Sequence, residues 1–266
     1  MTLEIMEIQH IRNATIKLKY GGATFLIDPY FAEKYTQLSF AGRSNNPISD
    51  LPVSVDSILE GVEYIMISHL HPDHFDNAAQ SLVPKDMPIF CQPEDCQSIE
   101  SVGFQNVTPV ESAIVVGKTT IYRTKGQHGS GSILKYMGPV SGYLFQSSAE
   151  KTLYWLGDTI YCHLVRESID VHQPEIMICH AGGNKFFKQH DVFCADLQED
   201  TEPVIMNAEQ VLSLLQYWPE SKVIATHLNA LDHETETRES ILRAAIQNNI
   251  GDGQLFIPNN GDILKF

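Results

Sequence analysis

The segment Ser68-His69-Leu70-His71-Pro72-Asp73-His74-Phe75-Asp76 constrains this chain more than any other. It puts three histidines and an aspartate into six positions, directly after the apolar run Tyr64-Ile-Met-Ile-Ser68. A buried strand that ends in a tight turn fixes the backbone while leaving the side chains open to a ligand. Imidazole nitrogens and a carboxylate suit a borderline divalent ion, Zn²⁺ first, with Mn²⁺ or Fe²⁺ as other occupants. His69 and His71, one residue apart, can face one centre, while Asp73 and His74, beyond Pro72, can face a second. The bland reading is a solvated histidine-rich turn, which the setting after an apolar strand disfavours.

Such a centre needs ligands from elsewhere in the chain. Asp158 follows the strand-like run Leu153-Tyr-Trp-Leu-Gly157, and His227 follows Val223-Ile-Ala-Thr226 in the same manner. His128 sits in the glycine-flanked loop Lys125-Gly-Gln-His128-Gly-Ser-Gly131. Each alone is weak, because a strand-end Asp is commonly a helix cap and a lone His an ordinary loop residue. Together with the cluster they complete a two-metal set. His180, closing Ile178-Cys-His180, is the rival for the place of His128. His163, His172 and His190 lie in helical or polar stretches and His10 in a strand, and all four read as bystanders.

Organisation along the chain is α/β. Strands are predicted over 5–11, 14–19 and 24–28, then 64–68, a hairpin over 113–116 and 119–124, a pair over 141–146 and 152–156, and runs at 176–179, 222–226 and 254–257. Helices are predicted over 55–62, 93–102, 161–169, 208–217 and 237–247. The helix at 208–217 is the best signalled, with Asn207 as N-cap, Gln210 three residues on and Pro219 past its end. Residues 29–52 read as one long loop, a kind that is usually functional or mobile. No linker or repeat divides the sequence, so 1–266 is expected to be one domain with a sizeable core from its 43% hydrophobic residues.

A formal net charge of −15 repels phosphate backbones and argues against nucleic acid as a partner, though it leaves room for a local basic pocket. No apolar run reaches the roughly 18 residues of a membrane span. Glu4 and Glu7 stand where a signal peptide would need an apolar stretch, and the five cysteines are odd in number and scattered. Reduced thiols in a cytoplasmic protein are expected, and a homo-oligomer is compatible with the sequence.

The order HxHxDH, His, Asp, His resembles the metallo-β-lactamase superfamily across essentially the whole chain. Ile27-Asp28-Pro29, Ser68 to His74, Gly157-Asp158-Thr159 and Ala225-Thr226-His227 stand in the superfamily's order. Gly138-Pro-Val-Ser-Gly-Tyr143 and His227-Leu-Asn-Ala-Leu-Asp-His233 are similar to the branch of L-ascorbate-6-phosphate-lactonase-like and zinc-dependent hydrolases. The resemblance implies a four-layer αββα sandwich of two mixed sheets flanked by helices, with the metal site at one edge. It implies that His69, His71 and His128 hold metal one, that Asp73, His74 and His227 hold metal two, and that Asp158 bridges them.

Two divalent ions about 3.5–4 Å apart would hold a bridging water and make it a hydroxide nucleophile near neutral pH. Asp73 is expected to orient that water and pass its proton on. Asp28 is expected to hydrogen-bond a ligand imidazole and fix its tautomer. His233 could donate to substrate or leaving group, or be a plain loop residue; Lys185 and Arg43 could bind an anionic substrate, or be solvated. The expected reaction is metal-dependent hydrolysis of an ester-like bond in a small soluble substrate, a lactone or a phosphoester. Other readings are a nuclease, weakened by the charge; a di-iron oxidoreductase, which would need a flavin partner domain; and a non-catalytic metal-binding scaffold, disfavoured by a complete ligand set.

Overall fold

Central strands buried on both faces set the architecture. The computed structural model describes residues 5–251 and 253–266. The first sheet contains β1 (Glu7–Arg12), β2 (Thr15–Tyr20), β3 (Ala23–Ile27), β4 (Tyr64–Ile67), β5 (Ile89–Cys91) and β6 (Val107–Pro109). The second contains β7 (Ala113–Val116), β8 (Thr119–Lys125), β9 (Ser141–Ser147), β10 (Glu150–Trp155), β11 (Ile176–His180), β12 (Lys222–Thr226) and β13 (Leu255–Phe256). A last strand, β14 (Ile263–Lys265), crosses back and pairs antiparallel with β1, so each sheet has seven strands.

Successive strand side chains point to opposite faces. Ile27, Met66, Trp155, Ile176 and Ile178 therefore meet between the sheets, in a core with Phe25, Tyr143 and Phe145. Their sequence neighbours Ile65 and Ile67 point outward, to α1 (Val55–Leu59), α2 (Asn77–Leu82) and α3 (Cys96–Ser101). On the far side Met177, Cys179, Val223 and Ala225 pack against α5 (His163–His172), α6 (Ala208–Tyr217) and α7 (Arg238–Gln247); the short α4 (Leu134–Met137) lies between β8 and β9 in the chain. Four layers result, helix, sheet, sheet, helix, as the family resemblance implies.

Most predicted elements form, with ends shifted by one to three residues. The 208–217 helix has the predicted bounds, and Asn207 Oδ1 accepts from the Gln210 amide at 3.0 Å. Among the described residues, five α-helices and strands were unpredicted: α2, β5, β6, α4 and β14. All are short, three to six residues, and too brief for a period to show. Tertiary pairing, not local propensity, makes β6 a strand, since it ends in Pro109.

Topology gathers the carboxyl ends of the central strands along one edge. β3, β4 and β5 run parallel, as do β10, β11 and β12. β8 is antiparallel to β9, which is antiparallel to β10, so β8 and β10 also end together. The Tyr143 hydroxyl donates to Ile67 O at 2.8 Å and ties the two sheets just below that edge. No helix among the described residues is long and apolar enough to cross a membrane.

Candidate metal centre

Seven side chains from that edge converge. His69, His71, Asp73 and His74 come from the turn after β4; His128, Asp158 and His227 from the ends of β8, β10 and β12. Ligand atoms of His69, His71 and His128 lie within 4.8 Å of one another. Those of His74, Asp158, His180 and His227 do the same. His128 and His180 therefore fall in different groups instead of competing for one place.

Asp158 stands between the groups. Its Oδ2 lies 3.2 Å from His74 Nε2, 3.4 Å from His128 Nε2 and 4.0 Å from His69 Nε2. Its Oδ1 is held by His180 Nδ1 at 2.5 Å, with the His180 ring set edge-on to Trp155. Gly157 makes the turn that presents it: φ is +70°, and an added Cβ would lie 2.5 Å from Ser141 O. Asp73 Oδ2 lies 3.2 Å from His227 Nε2 and 3.6 Å from His74 Nε2, and accepts from Asn13 Nδ2 at 3.2 Å.

Hydrogen bonds behind the rings set their tautomers. Asp28 accepts at both oxygens from Ser68, the amide at 2.7 Å and the hydroxyl at 2.6 Å, and its Oδ2 also lies 2.6 Å from His74 Nδ1. The Ser68 hydroxyl, having donated to Asp28, accepts from His69 Nδ1 at 2.8 Å. His128 Nδ1 donates to Val204 O at 2.9 Å. Protons on the Nδ1 atoms of His69 and His128 leave their Nε2 lone pairs facing the centre, the state a metal requires, while Asp28 fixes the His74 ring with its Nε2 turned the same way. Backbone strain accompanies the arrangement: Asn13, Asp28 and His227 all have positive φ, at 57°, 47° and 58°. The His227 amide donates to Asn13 O at 3.0 Å, which ties these loops together.

The residues fit a divalent cation. His69, His74 and His180 keep a buried Nε2 without a hydrogen-bond partner among the described residues. His71 Nδ1 and His128 Nε2 face each other at 3.3 Å. Burial holds His69 well below the ordinary imidazole range and takes His71 down to about 4, so these rings stay neutral and able to ligate. His74 and His227 behave oppositely: burial disfavours their charge, but Asp158 and Asp73 outweigh it, taking His227 up to about 9. Burial likewise opposes ionisation of Asp73 and Asp158, and His74 and His227 overcome it. Protons thus supply, without metal, the positive charge that two carboxylates in a dry site demand.

Sequence reasoning missed three neighbours. Glu234, buried, faces His227 Nδ1 at 3.7 Å and accepts from the Ala230 amide. Asn13 sits in a β-turn whose importance no motif announces. Asn184 lines the cavity above the centre, and only its place four residues past a strand-end His hinted at it.

That cavity measures about 660 Å³ and has His71, Asp73, His128 and Asp158 among its lining residues. Leu38, Phe40, Phe186, Phe193 and Val204 make its walls largely apolar. His233 and His190 also line it, so His190, read as a bystander, belongs to the wall. His10 instead bonds to Asn13 O and Asn259 O away from the cavity. Lys185 and Arg43 are not among the lining residues; Arg43 lies over the Phe187 ring. The wall segment 39–46 wraps the Asp232 carboxylate, which accepts from the Ser39 hydroxyl, the amides of Phe40 (2.9 Å), Ala41, Arg43 and Ser44, and Asn46 Nδ2 (3.0 Å). All five cysteines are free thiols.

Comparison with known proteins agrees with this geometry. A family model described as a β-lactamase superfamily domain matches residues 23–228. The UPF0173 protein YddR of Bacillus subtilis is 34% identical over 98% of this chain and all of its own length. A UPF0173 metal-dependent hydrolase of Azorhizobium caulinodans is 24% identical over 66% of this chain and 73% of its own. Among solved structures, a possible metal-dependent hydrolase from Veillonella parvula superposes with a TM-score of 0.91 at 29% identity, covering 99% of this chain and all of that one. An isothiocyanate hydrolase from Delia radicum gut bacteria superposes with a TM-score of 0.87 at 34% identity, covering 98% and 99%. By the family model and by these near full-length relatives, the chain belongs to the β-lactamase superfamily and is a metal-dependent hydrolase of the metallo-β-lactamase fold.

Proposed function

We propose that the protein hydrolyses a small, uncharged, largely apolar electrophile, with an isothiocyanate as the leading substrate. The observation that carries this reading is an apolar cavity with the histidine and aspartate cluster on its lining, and no Lys or Arg among the described lining residues. Of the two ester-like substrates expected from the sequence, a phosphoester would meet no side-chain cation there, whereas a lactone or another neutral carbon electrophile needs none. The 34% identity with an isothiocyanate hydrolase supports the heterocumulene over the lactone.

His69, His71 and His128 would hold one divalent ion and His74, Asp73 and His227 a second, zinc first, with Asp158 shared between them. Bound there, the ions supply Lewis acidity, which makes water more acidic and the bond under attack more polar. The chain's own residues do the rest. The apolar wall holds the substrate's hydrocarbon part and excludes bulk water. His180 fixes Asp158 through Oδ1, and Asn13 fixes Asp73. The Asp73 carboxylate accepts a proton from the attacking water and returns it to the substrate nitrogen. Water adds across the C=N bond of R–N=C=S to give R–NH–C(=S)–OH, whose hydroxyl proton moves to sulfur as R–NH–C(=O)–SH; the C–N bond then breaks, the S–H proton passes to nitrogen, and carbonyl sulfide and the amine R–NH₂ leave.

The test is a substrate panel on metal-supplemented protein: benzyl isothiocyanate, a γ-lactone and a phosphodiester, each with wild type and His69→Ala. Wild type should release benzylamine, and His69→Ala should be slower by about 100-fold or more, as expected when an ion is lost. Turnover of the phosphodiester alone, or equal behaviour of wild type and variant, overturns the reading.

A further inference from the structure

The apolar lining of the cavity continues from the interior to the protein surface. Val204 and Phe186, 1% and 6% exposed, belong to it, and so do Val192 and Leu38, 39% and 83% exposed. Leu38 is the most exposed large apolar side chain among the described residues. A lone exposed leucine needs no explanation, but one continuous with an apolar ligand cavity extends the surface on which a ligand lies.

The backbone around Leu38 is fixed. Gln37 and Asn46 exchange main-chain hydrogen bonds of 2.8 and 2.9 Å, and Asn46 Nδ2 donates to Leu38 O at 3.2 Å. The Tyr30 hydroxyl donates to Gln37 Oε1 at 2.8 Å, and the Ser39 hydroxyl donates to Asp232. The segment that carries Val192 is tied to the same rim, where His190 Nε2 donates to Ser39 O at 3.2 Å. Leu38 thus stands in water on an ordered main chain, so a hydrocarbon that covers it pays little to order the loop.

Size points the same way. Cavities of about 300–1,000 Å³ take drug-sized molecules, and this one measures about 660 Å³. An isothiocyanate group with a short substituent would leave most of that space to water.

We propose that Leu38 and Val192 form a subsite for the far end of an extended hydrocarbon group, so that the protein selects substrates by the length of that group. The reacting group lies at the cluster, and the hydrocarbon follows the apolar wall to the mouth, where its end covers these two side chains. The proposal deepens the functional reading above and rests on it for the reacting group. Selection by length is a property of binding, and binding is measured without turnover.

The test titrates N-alkylthioureas, which are not turned over, by calorimetry at equal metal load: the ethyl, butyl, hexyl and octyl compounds against wild type, Leu38→Ser and Leu38→Met. Wild-type affinity should rise about fourfold for each methylene buried along the wall. In Leu38→Ser the octyl-to-ethyl affinity ratio should fall about tenfold, the effect of losing most of one apolar side chain from the contact. Leu38→Met, which keeps an apolar tip, should restore the ratio. The thermal midpoint checks that the serine variant is folded, as its exposed position leads one to expect. Wild-type affinity independent of chain length, a ratio unchanged in Leu38→Ser, or an equal loss in Leu38→Met overturns the subsite. The two readings fail separately. The expected ratios with no turnover of benzyl isothiocyanate by wild type would remove the reaction and keep the subsite, and turnover with a flat series would do the reverse.

Discussion

Asp28 Oδ2 lies 2.6 Å from His74 Nδ1 and 2.6 Å from the Ser68 hydroxyl, which in turn reaches His69. One carboxylate thus sets two imidazoles, one from each ligand group. Asp28→Ala should free both rings to rotate and exchange tautomers. Metal affinity should fall about 10–100-fold, the usual loss when such a partner is removed. Competition against a chromophoric chelator measures it, and an unchanged affinity would show that the rings are held by packing alone.

Each ligand group draws on both sheets: His69 and His71 with His128, and His74 with Asp158, His180 and His227. A cation binding the folded site but not the unfolded chain stabilises the fold by mass action, about 2.7 kcal/mol at a hundredfold excess over its dissociation constant. Chelation should therefore lower the thermal midpoint by roughly 5 °C or more in a chain of this size. Calorimetry before and after dialysis against a chelator gives the comparison. Coincident transitions would mean that the ions do not hold the sheets together.

His128 and His180 should respond differently to mutation. His128→Ala removes a ring whose Nε2 faces His71 and Asp158, and metal content should drop towards one ion per chain under the two-ion reading. His180→Phe keeps a ring against Trp155 and removes the hydrogen bond to Asp158 Oδ1. Its stoichiometry should hold while affinity weakens about tenfold. Elemental analysis with a titration separates the two, and the reverse pattern would exchange their roles.

Asp232 anchors the 39–46 wall. Burial opposes its ionisation, but the Ser39 hydroxyl, the Phe40 amide and the Asn46 amide take its carboxyl down to about 2. The folded value lies below the unfolded one of roughly 4, so this contribution is present in full above pH 4 and is lost as pH falls towards 2. Asp232→Ala should cost about 2 kcal/mol at neutral pH through unpaired amides. The difference from wild type should shrink along the acid limb, and a difference constant from pH 7 to 2 would contradict it.

The clustered histidines and aspartates were legible in the sequence because strand-end geometry leaves a local mark: an apolar run, a glycine or none, then His or Asp. Asp158 and His227 show it plainly, and so does the cluster at 69–74. Asn13, Glu234 and Asn184 leave no such mark. Asn13 and Asn184 act through contacts 60 and 49 positions away, with Asp73 and His233, and Glu234 through the tertiary course of its loop. His180 carries the same mark, which made it the rival of His128, and only the folded chain puts it with His74, Asp158 and His227 instead. The short β5, β6 and β14 owe their extended form to neighbours in the sheet. The long loop at 29–52 was visible as a loop, but its winding around Asp232 depends on a residue nearly two hundred positions later.

Because each of the two side-chain groups takes residues from both sheets, the distance between the sheets acts as the gauge that sets the spacing within them. Trp155, Phe25, Phe145 and Tyr143, packed between them, are the shims of that gauge. A close-packed interior transmits even a one-methylene change in thickness. Substitutions far from any ligand, in that middle layer, would then retune which ion fits best.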